Sequence, residues 1–387
     1  MKTTHVIILL ALLIVSSIVA SAVYIQYFAC FDDAGFVGGE VFFGVTFSKG
    51  TPSDAKRLID RVKNYTNLLV ITAWNELCAQ NDNGTALSEV CEYAVNAKLH
   101  FIVFFSFISQ VTFEWHRGWL ETAKERFGEY FLGVYFYDEP GGKLIDTGKW
   151  RGTVLNASSY SEAAEWYVNS ISSSPSMRIL KYTGITVFTA DYALYWFDYL
   201  AGYDCIFVEF GWNHSRTQHI ALGRGTANVQ GKDWGVIITW TYNHPPYLEN
   251  GTRLYEDLVT AYKAGAKYIV VFNYPRIDGN PYGILTEEHF KAMEDFWNLI
   301  NSPKPSVEKV RGQVAYVLPK DYGWGMRGPD DKIWGIWPPD NRSPIIWENM
   351  NKLIEKYGLK LDIIYDDPRF SFKKKYAIIY FWNSTVS

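Results

Sequence analysis

The chain has 387 residues, a formal charge of −4 and a sequence pI near 6.0. That balance lacks the basic footprint of a nucleic-acid binder, and 48% hydrophobic against 20% charged residues excludes a disordered chain. The length accommodates one large domain and a small one.

In chain order, Met1–His5 gives a short, weakly positive flank, and an apolar run from Val6 to Ile25 follows. The run is long enough to span a bilayer, and Ala20-Ser21-Ala22 is a small-residue cleavage motif. Residues 1–30 therefore read as a signal peptide or a membrane anchor, and either places the remainder outside the cytoplasm, secreted or held at the cell surface. Seven N-x-S/T sequons, at Asn64, Asn83, Asn156, Asn213, Asn250, Asn341 and Asn383, agree with export as candidate glycosylation sites. Cys78 and Cys91 flank a polar loop and are candidates for a disulfide in an oxidising compartment. Cys205 sits in an apolar strand pattern, and Cys30 lies beside the membrane segment. No CxxC or His-rich cluster suggests a metal, and no GxGxxG or Walker pattern suggests a nucleotide; no cofactor is expected.

From Val41 strand and helix patterns alternate. Strands are expected at Val41–Phe47, Leu68–Trp74, His100–Phe107, Phe131–Tyr137, Gly184–Thr189, Asp204–Phe210, Gly235–Tyr242 and Tyr268–Tyr274. Helices are expected near 53–65, 86–98, 113–127, 160–173, 192–201, 216–229, 252–264 and 286–300, the sixth interrupted by Gly223 and Gly225. Eight βα units over 38–301 have the size and rhythm of a (β/α)8 TIM barrel. After the proline-rich Asn301–Pro305 the pattern restarts. Strands at Gln313–Leu318, Leu361–Tyr365 and Tyr376–Phe381, with a helix at Ile345–Tyr357, predict a small, partial doubly wound α/β domain over 307–387.

Active sites of such barrels form at the C-terminal ends of the strands. The fourth strand ends in Tyr137-Asp138-Glu139-Pro140, two adjacent acids at the mouth of an apolar strand, where desolvation opposes charge. Side-chain alternation places Tyr135, Tyr137 and Glu139 toward the barrel axis, and Phe207 and Glu209 likewise on the sixth strand. Glu139 and Glu209, with Asp138 beside them, should converge as the carboxyl pair that glycosidic hydrolysis requires, one to protonate the departing oxygen and one to attack or activate water. Trp74, Tyr137, Trp212, Trp240, Tyr242 and Tyr274 would ring the opening as sugar-stacking platforms, although aromatics singly are core or rim packing. Glu76, Asp191 and Asn273 are expected to hydrogen-bond substrate or cap loops. His214 and His244 could modulate acidity. A metal site from Asp138, Glu139, Glu209 and His214, as in a metal-dependent hydrolase, has no HExxH-type spacing behind it.

Tyr137-Asp138-Glu139-Pro140 resembles the strand-4 signature of (β/α)8 glycoside hydrolases. It is similar to the Asn-Glu-Pro of the cellulase-type clan, with Asp138 in place of Asn, which implies Glu139 as acid/base. That clan's nucleophile is a Glu ending the seventh strand, and Gly235–Asn243 contains none. A pair on strands four and six is similar instead to the α-galactosidase-type clan, which implies attack by Asp138 or Glu139 and protonation by Glu209. The C-terminal segment resembles the small α/β domain after the barrel in some β-galactosidases. The resemblance implies an extracytoplasmic glycosidase acting on an oligo- or polysaccharide. The alternative, suggested by the missing strand-seven Glu, the anchor and the sequons, is a non-catalytic surface protein that binds glycans or envelope partners on a degenerate barrel.

Overall fold

The computed structural model describes residues 40–73, 77, 83–105, 114–146, 151–273, 279–303 and 307–386. Eight parallel strands close into a barrel in sequential order: β1 (Phe42–Phe47), β2 (Leu68–Thr72), β3 (His100–Phe104), β4 (Phe131–Tyr135), β5 (Val187–Asp191), β6 (Cys205–Phe210), β7 (Asp233–Ile238) and β8 (Tyr268–Val271). Among the described residues the helices are α1 (Pro52–Val62), α2 (Thr85–Asn96), α3 (Glu114–Phe127), α4 (Pro140–Asp146), α5 (Tyr160–Ser172), α6 (Pro175–Tyr182), α7 (Tyr195–Leu200), α8 (Arg216–Gln230), α9 (Gly251–Lys263), α10 (Glu287–Ile300) and α11 (Ser343–Tyr357). The fold is the expected TIM barrel, with an added three-stranded parallel sheet ordered β10 (Leu361–Tyr365), β9 (Val314–Leu318), β11 (Ile378–Phe381). Residues Val41–Ser387 form one compact unit.

Most barrel strands end earlier at the mouth than the apolar runs suggest. β5 goes the other way: Gly184 adopts φ +65° after α6, so the strand begins at Val187 and reaches Asp191. Two helices escape the sequence pattern. Ser174 caps α6 by accepting from the Met177 N–H, with Pro175 in the first turn. α4 is a seven-residue helix begun by Pro140 directly after the acidic pair.

The high aromatic content largely builds cores. Inside the barrel Phe188 stacks on Phe207 at 5.7 Å between centroids, and Phe42 on Tyr268 at 5.1 Å. Trp324 and Trp334, in the long loop before α11, are buried, and Trp334 packs on Phe197 at 4.6 Å. Cys91 is a free, fully buried thiol on α2, so the expected Cys78–Cys91 staple is not formed by it; apolar packing around α2 takes the sulfur instead. Cys78 lies outside the described residues, as do Cys30 and the apolar N-terminal run. Among the described residues no helix is long and apolar enough to cross a membrane. All seven sequon asparagines are exposed.

The glycines expected to interrupt α8 serve close approach instead. A Cβ at Gly223 would lie 2.2 Å from Val208 Cγ2 of β6, and one at Gly225 2.8 Å from the Ile363 carbonyl of β10. α8 is thus wedged between barrel and small sheet. The seam is fixed by Arg224, whose Nε donates to Asp362 Oδ1 at 2.8 Å while its other nitrogens reach the carbonyls of Val310 (3.1 Å) and Leu361 (3.0 Å). Asp362 also accepts from Tyr376 at 2.9 Å and Asn228 at 3.1 Å. With both charges buried, removing one strands the other. Arg224→Met should cost about 3–5 kcal/mol in urea unfolding, and Arg224→Met/Asp362→Leu should recover part of that loss.

Candidate active site

β4 remains extended only to Tyr135. Tyr137 and Glu139 then both adopt φ +52°, a left-handed conformation that costs non-glycine residues energy and clusters at functional sites. These bends cancel the expected alternation. Phe136 and Tyr137 both turn to the helix side, their rings 4.1 Å apart, so Tyr137 packs in the outer core and is no stacking platform at the mouth. Asp138 and Glu139 both reach the cavity wall, and the Glu139 N–H donates to the Ala190 carbonyl at 3.0 Å. Tyr135, facing inward, donates its hydroxyl to Asp138 Oδ1 at 2.6 Å.

Glu209 projects from the inner face of β6, buried, and hydrogen-bonds to Glu139. Burial first, then the charges of Glu139 and Asp138, raise the Glu209 pKa well above the ordinary carboxyl value. Glu139 is raised by burial and by Asp138, but Lys143 and the hydrogen bond from Glu209 pull it back. The asymmetry favours the proton on Glu209, with Glu139 as the more acidic partner. Lys143, which the sequence reading passed over, lies 3.1 Å from Glu139 Oε2 and 2.8 Å from Asp138 Oδ2. Burial works against its ammonium, yet the two acids outweigh that and hold its pKa above the lysine norm. Its position four residues after Glu139, on a helix opened by Pro140, is the signal that would have found it.

Asp191 does not line the cavity. It is fully buried and accepts the N–H groups of Gly141 (2.6 Å), Gly142 (2.8 Å), Tyr192 (2.7 Å) and Ala193 (3.1 Å). It thereby ties the start of α4 to the end of β5, the loop-capping role. Burial pushes its pKa up to about 7 despite the donors.

The acids open into a cavity of about 540 Å³. Trp212 and Trp240 form one wall, their centroids 6.3 Å apart. Ser48, Lys49, Thr72 and Thr239 add polar groups. Asn273 is buried in a structural role: its Oδ1 accepts from the Ile284 N–H at 3.2 Å, and its backbone pairs with Thr46. Tyr242 turns its hydroxyl to Glu249 at 3.0 Å. His214 stacks on His219 at 5.1 Å, away from the acid pair's hydrogen bonds, and His244 is exposed. Trp74, Glu76 and Tyr274 lie outside the described residues. Among the described residues no group of three His, Cys, Asp or Glu side chains could hold a metal ion.

No family model matches this sequence, and no curated protein matches it. Solved structures do. An α-L-fucosidase isoenzyme 2 from Paenibacillus thiaminolyticus is similar over 88% of this chain and 60% of its own, at 9% identity and a TM-score of 0.51. An endo-1,4-β-mannanase from Rhizomucor miehei is similar over 68% of this chain and 96% of its own, at 10% identity and a TM-score of 0.45. A β-mannanase from the blue mussel Mytilus edulis is similar over 70% and 94%, at 9% identity and a TM-score of 0.40. The likeness to the fucosidase is one of fold.

Two outcomes follow from the electrostatics. Because the folded state keeps a proton on Glu209 that the unfolded chain releases above about pH 4.3, its cost to stability grows as pH rises through and beyond that value. Glu209→Gln, which cannot ionise, should raise the melting temperature relative to the parent at pH 8 and lose that advantage at pH 4. Asp191→Asn keeps one acceptor oxygen for four N–H donors; it should destabilise by about 1–3 kcal/mol for each donor left unpaired, read by chemical unfolding.

Proposed function

We propose that this protein is an extracytoplasmic glycoside hydrolase that cleaves an oligo- or polysaccharide by double displacement. The observation that carries this reading is the Glu139–Glu209 pair on the cavity wall, with a cation, Lys143, 3.1 Å from Glu139 Oε2; burial and the neighbouring acids favour the proton on Glu209. Glu209 protonates the departing glycosidic oxygen while the Glu139 carboxylate attacks the anomeric carbon. Glu209, now ionised, takes a proton from the water that releases the sugar. Inversion needs carboxyls about 6.5–9.5 Å apart with a water between them, which direct contact does not provide; retaining pairs stand about 5–5.5 Å apart. Trp212 and Trp240 offer apolar faces for stacking. The apolar segment Val6–Ile25, as a signal or an anchor, and the exposed sequons support export.

The absence of a Glu from Gly235–Asn243, at the end of β7, favours a second reading: a surface barrel that binds glycans without cleaving them.

The deciding assay is incubation with a panel of α- and β-linked glycans beside Glu139→Gln and Glu209→Gln. The parent should release sugar with net retention, seen as the first-formed anomer by NMR. Each variant should lose about 10²- to 10⁴-fold in kcat with an unchanged circular dichroism spectrum. Saturable sugar binding with no product from the parent would select the second reading.

A further inference from the structure

The cavity changes chemistry with depth. On β6, Phe207 precedes Glu209 by two residues, on the same inward face and therefore deeper in the barrel. Phe207 joins Val70, Tyr135, Ala190 and Ile237, which line the cavity and also belong to the buried barrel interior, so these five form its floor. Four of them end in carbon. The fifth, Tyr135, has its hydroxyl committed to Asp138 at 2.6 Å. Above them Thr46 is committed as well, its Oγ1 accepting from the Asn273 N–H at 2.8 Å and donating to the Asn273 carbonyl at 3.1 Å. Ser48, Lys49, Thr72 and Thr239 complete the polar wall. The five floor side chains thus present apolar surface with no hydrogen-bonding group of their own to spare; the buried oxygen without a hydrogen-bond partner above them, Glu209 Oε2, belongs to the acid pair.

A sugar seated with its anomeric carbon between Glu139 and Glu209 directs one ring substituent onto that floor. A hydroxyl or hydroxymethyl resting on those five side chains gives up water with no replacement from them, whereas a methyl group gains from burial. Resting on the glycosidase reading above, we infer that the buried subsite selects a sugar whose inward substituent ends in a methyl group, carried by a 6-deoxyhexose or by the acetamido group of a hexosamine. The discrimination expected of such a pocket is about 10- to 100-fold.

The test uses the full-length protein and 4-nitrophenyl glycosides in matched pairs, both anomers: 6-deoxyhexosides against their 6-hydroxyl parents, and N-acetylhexosaminides against the plain hexosides. In the configuration that is hydrolysed, kcat/KM should favour the methyl-bearing partner by about 10- to 100-fold, and which pair shows the preference identifies the source of the methyl. Val70→Thr, which sets a hydroxyl into the floor at constant shape, should narrow that gap. Equal or faster hydrolysis of the hydroxylated partners overturns the inference while leaving the glycosidase reading intact. If no glycoside is cleaved, the glycosidase reading fails, and the free sugars decide the floor's preference through tryptophan fluorescence titration. Tighter binding of the methyl-bearing sugar sustains the selectivity; equal or absent binding overturns it.

Discussion

The arrangement of the barrel mouth depends on one buried carboxylate, Asp191. Four backbone N–H groups from two different βα connections converge on it, two from the first turn of α4 and two just after β5. Without such an acceptor those donors would be buried unpaired, a cost that folded proteins avoid. With it, α4 starts immediately after Glu139, and the chain between β4 and α4 must bend through two left-handed residues to connect. The same bends aim Asp138 and Glu139 at the cavity, and the helix they precede returns Lys143 to them. A residue outside the cavity wall thus sets the geometry of those that form it.

The second organising element is unequal charge compensation. Three acids face a confined, largely apolar space, and a single lysine serves two of them. Glu209, from β6, meets burial and the charges of Glu139 and Asp138 instead, and these favour its protonated form. Two side chains of identical chemistry are separated in role by what surrounds them, without any difference in their own structure.

The sequence revealed the barrel because strands buried on both faces read as nearly continuous apolar runs separated by helical periodicity. Glu209 was legible for a related reason: an acid inside Cys205–Phe210 falls on the inward phase of a regular strand. Glu139 was placed inward for the wrong reason, since alternation beyond Tyr135 assumes an extended chain that the left-handed bends interrupt; the same assumption misplaced Tyr137. Asp191 was judged a loop residue because Gly184 was read as strand, which shifted the fifth strand toward its N-terminus. Gly223 and Gly225 argued against a helix on propensity, and tertiary contact decided otherwise, because only glycine permits β6 and β10 to approach α8 so closely. Lys143 was invisible without knowing that α4 begins at Pro140.

The small C-terminal sheet bears on the mouth through two routes. α8, held to it by Arg224, presses Gly223 against Val208, the residue before Glu209. The loop before α11 sends Arg327 to an ion pair with Asp146 at the far end of α4, the helix that carries Lys143. Each carboxyl of the pair is therefore buttressed from behind by residues beyond 310, as the two jaws of a vice are held by one frame. Evolutionary or engineered exchange of the C-terminal region would alter the alignment of the acids even though none of its described residues enters the cavity wall, and the barrel and its annex should diverge in sequence as partners rather than as interchangeable modules.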